Sequence, residues 1–197
     1  DNGSRIEHIR YTVNYLERIG VSAIIIEDKI GLKKNSLFKN QKGAKQDKIK
    51  DFSKKITAAC KSKVSEDFMV IARIESFILG KNLSDAMKRA EAYSKAGADA
   101  ILIHSKEKSP KQILSFAKKF KKSKFYKPMV AVPSSYSQTK ESELIKAGFK
   151  VVIYANHMQR AAYPAMQEAA KLILKNKRSF ELEKKISSVN EVINLIK

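Results

Sequence analysis

The sequence predicts an α/β fold built around a parallel β-sheet, with its 197 residues in one domain. Two observations support this fold class. Short runs of β-branched and other apolar residues alternate with amphipathic segments along the chain. A helix that ends in a glycine, followed within two residues by an apolar run, occurs three times, at Gly20, Gly97 and Gly148. Strict helix–strand alternation with short turns produces right-handed βαβ units, and hence a parallel sheet.

The helices are predicted from apolar residues that recur three and four positions apart. They span residues 6–19, 46–62, 84–96, 112–122, 139–146 and 158–174, and a last amphipathic segment spans 188–197. Ser84 with Asp85 and Ser109 with Pro110 are the predicted starts of the third and fourth helices. Continuous apolar runs predict buried strands at 23–26, 68–72, 100–103, 129–132 and 151–154.

Five strands leave two architectures open: an open doubly wound sheet, and a (β/α)₈ barrel without its first strands. Every predicted strand is followed by or ends in a polar or charged group, and these groups are Glu27, Arg73, His104, Ser134 and Asn156. In a barrel they would converge on the C-terminal face, where barrel enzymes place their active sites. A glycine-rich phosphate loop is absent from the sequence. The barrel is therefore favoured.

The charge is the most unusual feature of the composition. The chain has 40 Lys and Arg against 20 Asp and Glu, a formal net charge of +20, which raises the question of nucleic-acid binding. The lysines are spread over nearly every predicted helix, and neither a zinc-finger spacing nor an RNA-binding signature occurs. We therefore predict lysine-rich solvated helix faces, no nucleic-acid partner, and a preference for small anionic substrates.

One cysteine, Cys60, lies on the apolar face of a predicted helix, so we interpret it as a core residue. A single cysteine excludes an intrachain disulfide and a cysteine-based metal site, and a cytoplasmic location is the resulting expectation. Neither an apolar run long enough to span a membrane nor a signal segment is present, so no membrane partner is predicted.

The segment 22–37, SAIIIEDKIGLKKNSL, is the strongest candidate for part of an active site. It is an apolar strand that ends at the carboxylate of Glu27 and continues into a polar, cationic loop. Taken alone, such a charge can simply mark where a strand reaches water. Arg73 can likewise be an ion-pair partner of Glu75, and His104 a structural histidine, so each residue leaves a structural alternative open.

The combination of motifs is more specific than any single residue. The chain resembles phosphoenolpyruvate mutases, of the isocitrate lyase superfamily, over nearly its whole length. The similar segments are VSAIIIEDKIGLKKNSLF, MVIARIESFILGK, DAMKRAEAYSKAGADAILIHSKEKSP, VPSSY and VVIYANH, in that order. The resemblance implies a (β/α)₈ TIM-type barrel over 1–197. It also implies C-terminal helices, here 158–197, that are exchanged between the subunits of a homodimer or homotetramer.

The resemblance also implies a chemistry, the Mg²⁺-dependent interconversion of phosphoenolpyruvate and phosphonopyruvate. It assigns residues to three groups: Asp1 and Glu27 at the metal, Lys33, Asn35 and Ser36 on a gating loop over the substrate, and Arg73 and His104 at the phosphoryl group. The resemblance implies that Lys33 and these four residues are catalytic, and that the four also bind the substrate: Asn35, Ser36, Arg73 and His104. Of the loop residues, Asn35 matches the one that contacts the substrate.

Two departures from the family pattern stand out at the start of the chain. Asp1 is followed by Asn2, Gly3 and Ser4, where the family usually has another sequence. The part that precedes Asp1 in the family is absent; it supplies the first two strands, most of the third and two aspartates of the site. The chain is thus expected to be an N-terminally truncated barrel that is inactive alone.

Three other functions are weighed against the mutase. A phosphonopyruvate hydrolase would share most of the site and differ chiefly in the loop, where Asn35 and Ser36 favour the mutase. A carbon–carbon lyase of the superfamily would need a loop cysteine, which this loop does not have. A non-catalytic basic binding module is the alternative from a different class, and steep salt-dependent binding of nucleic acid would support it.

Overall fold

The computed structural model describes residues 5–31, 35–37 and 43–195. Two units are distinguished along the chain, Asp1–Ile153 and Tyr154–Lys197. The strands, all in the first unit, are β1 (Ala23–Glu27), β2 (Lys29–Ile30), β3 (Lys45–Gln46), β4 (Met69–Ile74), β5 (Ala100–Ile103), β6 (Met129–Ala131) and β7 (Phe149–Val152). Its helices are α1 (Ile6–Arg18), α2 (Ile49–Lys61), α3 (Leu83–Lys95), α4 (Lys111–Phe120) and α5 (Glu141–Ala147).

The strand order decides between the two predicted architectures. Five strands form one parallel sheet in the order β1-β4-β5-β6-β7, so each new strand of that sheet is added on the same side of the previous one. A doubly wound sheet reverses its order at a switch point, and this sheet does not. The order is that of consecutive units in a (β/α) barrel.

The two faces of the sheet are packed differently. One carries the main core, where strand residues such as Val70, Ala72 and Ile101 meet Phe52 of α2 and Phe116 of α4. The other face carries a smaller cluster that contains only residues of the strands and their ends: Ile71, Ala100, Leu102, Val130 and Val132. Because side chains alternate along a strand, helices on a single face leave the second cluster as the interior side of a barrel.

Several predicted boundaries require correction. The second helix begins at Ile49 rather than at 46, because Lys45 and Gln46 pair with Lys29 and Ile30 in a two-stranded antiparallel sheet. The third helix begins at Leu83, because the side chain of Asn82 accepts the Asp85 N–H and acts as the N-cap.

Other starts differ as well, such as that of the fifth helix, predicted at 139 and observed at Glu141. Pro110 rather than Ser109 is the N-cap of α4. Strand β7 begins at Phe149, two residues earlier than predicted, because Gly148 ends α5 with a φ of 104° and extended backbone follows at once.

The second unit contains α6 (His157–Asn176), a 3₁₀ turn (Glu183–Lys185) and α7 (Val189–Ile193). Its apolar side chains include several that are exposed, among them Met158, Met166 and Leu174. No described helix is both long and apolar enough to cross a membrane. The prediction that residues 1–197 form one catalytic domain remains a prediction.

Candidate active site

The centre of the site is the pair Glu27 and Arg73, which are register partners on the neighbouring strands β1 and β4. The side chain of Arg73 continues the interior row of Ile71, two residues earlier on the same strand. The Nε of Arg73 lies 3.7 Å from a carboxylate oxygen of Glu27 and donates at 2.7 Å to Glu75, just past the end of β4. One cation therefore joins the carboxylates at the ends of two neighbouring strands.

Lys29 adds a second cation to the same cluster. Its Nζ lies 3.8 Å from Glu27 and 3.4 Å from Glu75, and all three of these side chains are almost completely buried. Burial by itself would raise the pKa of Glu75. The positive charge of Arg73, a hydrogen bond from Ser36 and the nearby His104 more than offset burial and hold the pKa of Glu75 below its usual value. Glu75 is therefore a buried carboxylate that stays ionised.

Ser36 connects the loop after β1 to this cluster. Its Oγ accepts from the Nζ of Lys29 at 3.0 Å and from Nη2 of Arg73 at 2.9 Å, and its hydroxyl donates to the carboxylate of Glu75. The preceding residue, Asn35, is exposed, and its Oδ1 accepts the N–H of Leu37 at 2.9 Å. The loop thus presents Asn35 outward while Ser36 is held inside.

His104 lies directly after β5, and only 4% of its surface is exposed. Its backbone N–H donates to the carbonyl of Ile74 at 3.4 Å, which fixes it beside the end of β4. The structure therefore brings together four of the predicted residues, namely Glu27, Ser36, Arg73 and His104. Two predicted residues, Asp1 and Lys33, lie outside the described part of the chain.

The arrangement suits an anionic ligand better than it suits metal binding by the protein alone. The side chain of Arg73 is 19% exposed, and its planar guanidinium is a good partner for phosphoryl or carboxylate oxygens. Within 5–31, 35–37 and 43–195 there is no group of three acidic, histidine or cysteine side chains placed to hold a metal ion. Glu27 fits a contact to Mg²⁺ through water, since Mg²⁺ keeps several of its waters when bound.

A second acidic cluster, centred on Asp28, was missed by the sequence reasoning. The carboxylate of Asp28 accepts from the hydroxyl of Tyr93 at 2.7 Å, Nη1 of Arg89 at 3.1 Å, Nε2 of Gln46 at 2.9 Å and the N–H of Glu75 at 2.9 Å. Burial raises the pKa of Asp28, and these donors act against that rise. The alternation of side chains along a strand could have predicted it, because Glu27 and Asp28 are consecutive and their side chains should point to opposite faces of the sheet.

Lysines of the described residues also line two grooves away from this cluster. A groove of about 540 Å³ between α2 and α3 is lined by Lys50, Lys54, Lys61 and Lys95, and contains none of the predicted site residues. A second groove, beside α4 and α5, is likewise lined by lysines. Both grooves place lysines on the faces of helices, in line with the predicted lysine-rich helix faces.

Comparisons with known proteins place this geometry in a family. The sequence model of the family described as phosphoenolpyruvate phosphomutase matches residues 1–174. The chain belongs to the phosphoenolpyruvate phosphomutase family. A phosphoenolpyruvate phosphomutase of Tetrahymena pyriformis is 40% identical over 94% of the chain and 61% of its own length. A phosphonopyruvate hydrolase of Variovorax is 39% identical over 95% of the chain and 64% of its own length.

Solved structures of phosphomutase-family relatives support the fold. A phosphoenolpyruvate phosphomutase from Streptomyces platensis superposes with a TM-score of 0.91 at 36% identity, covering 98% of this chain and 66% of the other. A phosphonopyruvate hydrolase bound to oxalate and Mg²⁺ superposes with a TM-score of 0.86 at 36% identity, covering 98% of this chain and 65% of the other. The fold is thus that of the phosphoenolpyruvate mutase/isocitrate lyase superfamily barrels. The chain spans somewhat less than two thirds of these relatives.

Proposed function

We propose that this chain is part of a phosphoenolpyruvate mutase, which moves a phosphoryl group between the enol oxygen of phosphoenolpyruvate and the methylene carbon of phosphonopyruvate. The observation that carries the proposal is the convergence of Glu27, Arg73 and His104 at the carboxyl ends of three adjacent strands, in a chain of this family. Barrel enzymes hold their reacting groups at that end of the strands.

Each residue of the site has a distinct proposed role. Arg73 binds the oxygens of the transferring phosphoryl group, where its charge favours the loose transition state. His104 donates a hydrogen bond to the phosphoryl or carboxylate group, and Asn35 contacts the substrate from the loop. Glu27, with Asp1, orients the waters around Mg²⁺, and Mg²⁺ when bound stabilises negative charge on the substrate oxygens.

Exclusion of water is the second requirement of a mutase. A metaphosphate-like group that meets water gives phosphate, so the site has to be closed while the phosphoryl group is between its two positions. We propose that the loop carrying Lys33, Asn35 and Ser36 closes the site. The contacts of Ser36 with Lys29, Arg73 and Glu75 support this proposal, because they link the loop to the strand ends.

A phosphonopyruvate hydrolase is the second candidate, since the relative with that activity is nearly as similar as the mutase. The pair Asn35 and Ser36 in the loop favours the mutase. A carbon–carbon lyase is disfavoured, because the loop contains no cysteine and Cys60, the single cysteine of the chain, lies in α2.

Phosphorus NMR distinguishes these candidates directly. The protein that carries this chain, incubated with phosphonopyruvate and MgCl₂, is expected to produce the signal of phosphoenolpyruvate, and chelation of the metal should stop the reaction. Pyruvate with inorganic phosphate as the product would establish the hydrolase instead. No product at all, from folded protein, would contradict both candidates.

The role of Asn35 is tested by Asn35→Ala in the same assay. We expect kcat to fall by about 10²-fold, since a misplaced substrate costs about that much. The melting temperature should fall only slightly, because the side chain is exposed and its hydrogen bond from the N–H of Leu37 is local. Glu66→Ala, at an exposed position before β4 and outside residues 158–197, is the control and should retain full kcat. Unchanged kcat in Asn35→Ala would contradict the proposed role of the loop in the reaction.

The same proposal includes a homodimer or homotetramer held by residues 158–197. The support is the exposed apolar side chains of that unit, which include Met158 and Leu174 at 78% and 77% exposure. Light scattering should give the mass of a dimer or tetramer, and a monomer at micromolar concentration would contradict it.

A cytoplasmic location, predicted from the single cysteine, belongs to the same proposal.

A further inference from the structure

The hydroxyl of Ser36 has its full hydrogen-bonding capacity used by protein groups. A serine hydroxyl offers one proton and two acceptor positions. The Nζ of Lys29 and Nη2 of Arg73 can only donate, so they occupy the two acceptor positions, at 3.0 and 2.9 Å. The proton then points at the one acceptor among the three partners, the carboxylate of Glu75. This count leaves Ser36 with no proton to donate to a substrate oxygen.

Glu75 also fixes the direction of Arg73. One oxygen of its carboxylate accepts from Nε of Arg73 at 2.7 Å, while the other accepts from Ser36. Ser36 in turn holds Nη2 of the same guanidinium. Because a guanidinium is planar, two fixed N–H groups set its plane and therefore the direction of its remaining N–H groups.

The environment of Glu75 suits this task. The side chain is completely buried, whereas the side chain of Arg73 is 19% exposed. Arg73 therefore shields the carboxylate of Glu75 from solvent, while the side chain of Arg73 itself reaches solvent. The Nζ of Lys29 lies 3.4 Å from the same carboxylate, so Glu75 has two cationic partners and the serine hydroxyl.

We propose that Glu75 is a positioning residue of the phosphoryl site, which sets the plane of Arg73 and holds the Ser36 hydroxyl toward itself. Ser36 then supports the site through Arg73 without contacting the substrate, in contrast to its predicted role as a substrate ligand. The inference rests on the proposed function and adds to it the orientation of the residue that binds the phosphoryl group.

The test is a double-variant cycle of Glu75→Gln and Ser36→Ala in the protein that carries this chain. Steady-state kcat and KM are measured with phosphonopyruvate, and the Kd of oxalate in MgCl₂ is measured by calorimetry as a readout independent of turnover. Glu66→Gln, an exposed glutamate, is the matched control and should leave all three values unchanged. Melting curves report whether each variant folds.

A substitution at a positioning residue should lower kcat while it leaves ligand binding nearly unchanged. Glu75→Gln should lower kcat by about 10²-fold, the usual cost of misplacing a reacting group. The same variant should change the oxalate Kd by less than about threefold, because it removes a negative charge beside Arg73 and the attraction for anions remains. Ser36→Ala should lower kcat by about tenfold with little change in KM, and the double variant should resemble Glu75→Gln alone.

Three results would overturn the inference. If the two substitutions multiply in kcat, or if Ser36→Ala mainly raises KM, Ser36 contacts the substrate directly. If Glu75→Gln loses melting temperature and oxalate binding together, Glu75 only supports the fold. If Glu75→Gln does not fold, Ser36→Ala decides, because normal kcat in that variant contradicts the proposal. An unaltered protein that neither binds oxalate nor converts phosphonopyruvate would instead show that the proposed function has failed.

Discussion

Glu27 and Asp28 are consecutive residues at the end of β1, yet their carboxylates enter two different environments. Asp28 lies on the helix side of the sheet, where Arg89 and Tyr93 of α3 both contact it. Glu27 faces the other way, toward Arg73 of the neighbouring strand and Lys29. The alternation of side chains along a strand is enough to separate two acidic residues that are adjacent in sequence.

The two clusters differ in how completely protein groups satisfy the hydrogen-bonding capacity of their charged side chains. The carboxylate of Asp28 accepts four hydrogen bonds from protein groups and is wholly buried. The cluster of Glu27 matches two carboxylates with two cations, and one of those cations, Arg73, reaches solvent. A buried polar network whose hydrogen bonds are all satisfied makes the local structure rigid, while a cluster with an exposed cation can bind an anion. We therefore propose a structural role for Asp28 and keep the proposed chemistry for the cluster around Glu27.

The largest expected effect breaks the Asp28 cluster. Asp28→Ala removes the acceptor of four donors, among them Nη1 of Arg89 and the Tyr93 hydroxyl, while Nε of Arg89 keeps its ion pair with Asp85. The free energy of unfolding should fall by about 3–5 kcal/mol, since each buried donor left unsatisfied costs about 1–3 kcal/mol. Urea titration measures this change. Asp67→Ala, an exposed aspartate, is the control and should cost less than about 0.5 kcal/mol. A loss below about 1 kcal/mol for Asp28→Ala would mean that the cluster does not hold the strand end.

A loss of activity with little loss of stability is expected when Arg73, in the cluster of Glu27, is changed. Arg73→Lys keeps the charge but loses the planar fork, so kcat/KM should fall by about 10²-fold in the NMR-based assay. Unfolding free energy should change by less than about 1 kcal/mol, since Lys29 still neutralises the carboxylates. Arg178→Lys, in the exposed pair with Glu181, should change neither quantity. Retained activity in Arg73→Lys would contradict the assignment of chemistry to this cluster.

A smaller effect isolates one hydrogen bond of the Asp28 cluster. Tyr93→Phe removes the hydroxyl that joins Asp28 and Arg89 but keeps the ring, which packs edge-on against Phe52 at 4.6 Å. The cost should be about 1–3 kcal/mol of unfolding free energy, with kcat unchanged in the folded protein. Tyr11→Phe, at an exposed position of α1, provides the comparison and should be neutral. Lost turnover at full stability would place Tyr93 in the site.

The smallest predicted effect is a pH dependence that comes from Glu75. Its pKa is lower in the folded protein than in the unfolded chain, so the folded state binds this proton less readily. Its contribution to stability is complete above its ordinary pKa, about 4.3, and is lost as the pH falls through the lower folded value. Glu75→Gln should therefore flatten the acid part of a plot of melting temperature against pH. An unchanged slope would show that the pKa of Glu75 is the same in the folded protein and in the unfolded chain.

The sequence predicted the architecture well because the relevant signals are local. Alternating apolar runs and amphipathic segments gave every strand of the parallel sheet and every helix of the first unit. The missed elements, Lys29–Ile30 and Lys45–Gln46, are two residues each and are far apart in the sequence. Such short pairs carry no periodicity, since two residues cannot show an alternation.

The site was predicted only in part. Resemblance of motifs identified Glu27, Ser36, Arg73 and His104, and the structure does bring these four together. It did not reveal the joint dependence of Ser36 and Arg73 on Glu75, because residues 36 and 75 meet only when the loop reaches β4. The Asp28 cluster was missed for the same reason: Arg89 and Tyr93 are ordinary helix residues until α3 packs on the sheet.

The division between the two neighbouring carboxylates is tested most directly by measuring turnover per folded molecule for Glu27→Gln beside Asp28→Asn. Each variant replaces a carboxylate with an amide of the same shape, one residue apart. The account predicts that Glu27→Gln loses Mg²⁺-dependent turnover while folding normally. It predicts that Asp28→Asn is less stable yet retains the kcat of the unaltered protein in its folded fraction. Normal turnover in Glu27→Gln together with an inactive, stable Asp28→Asn would contradict it.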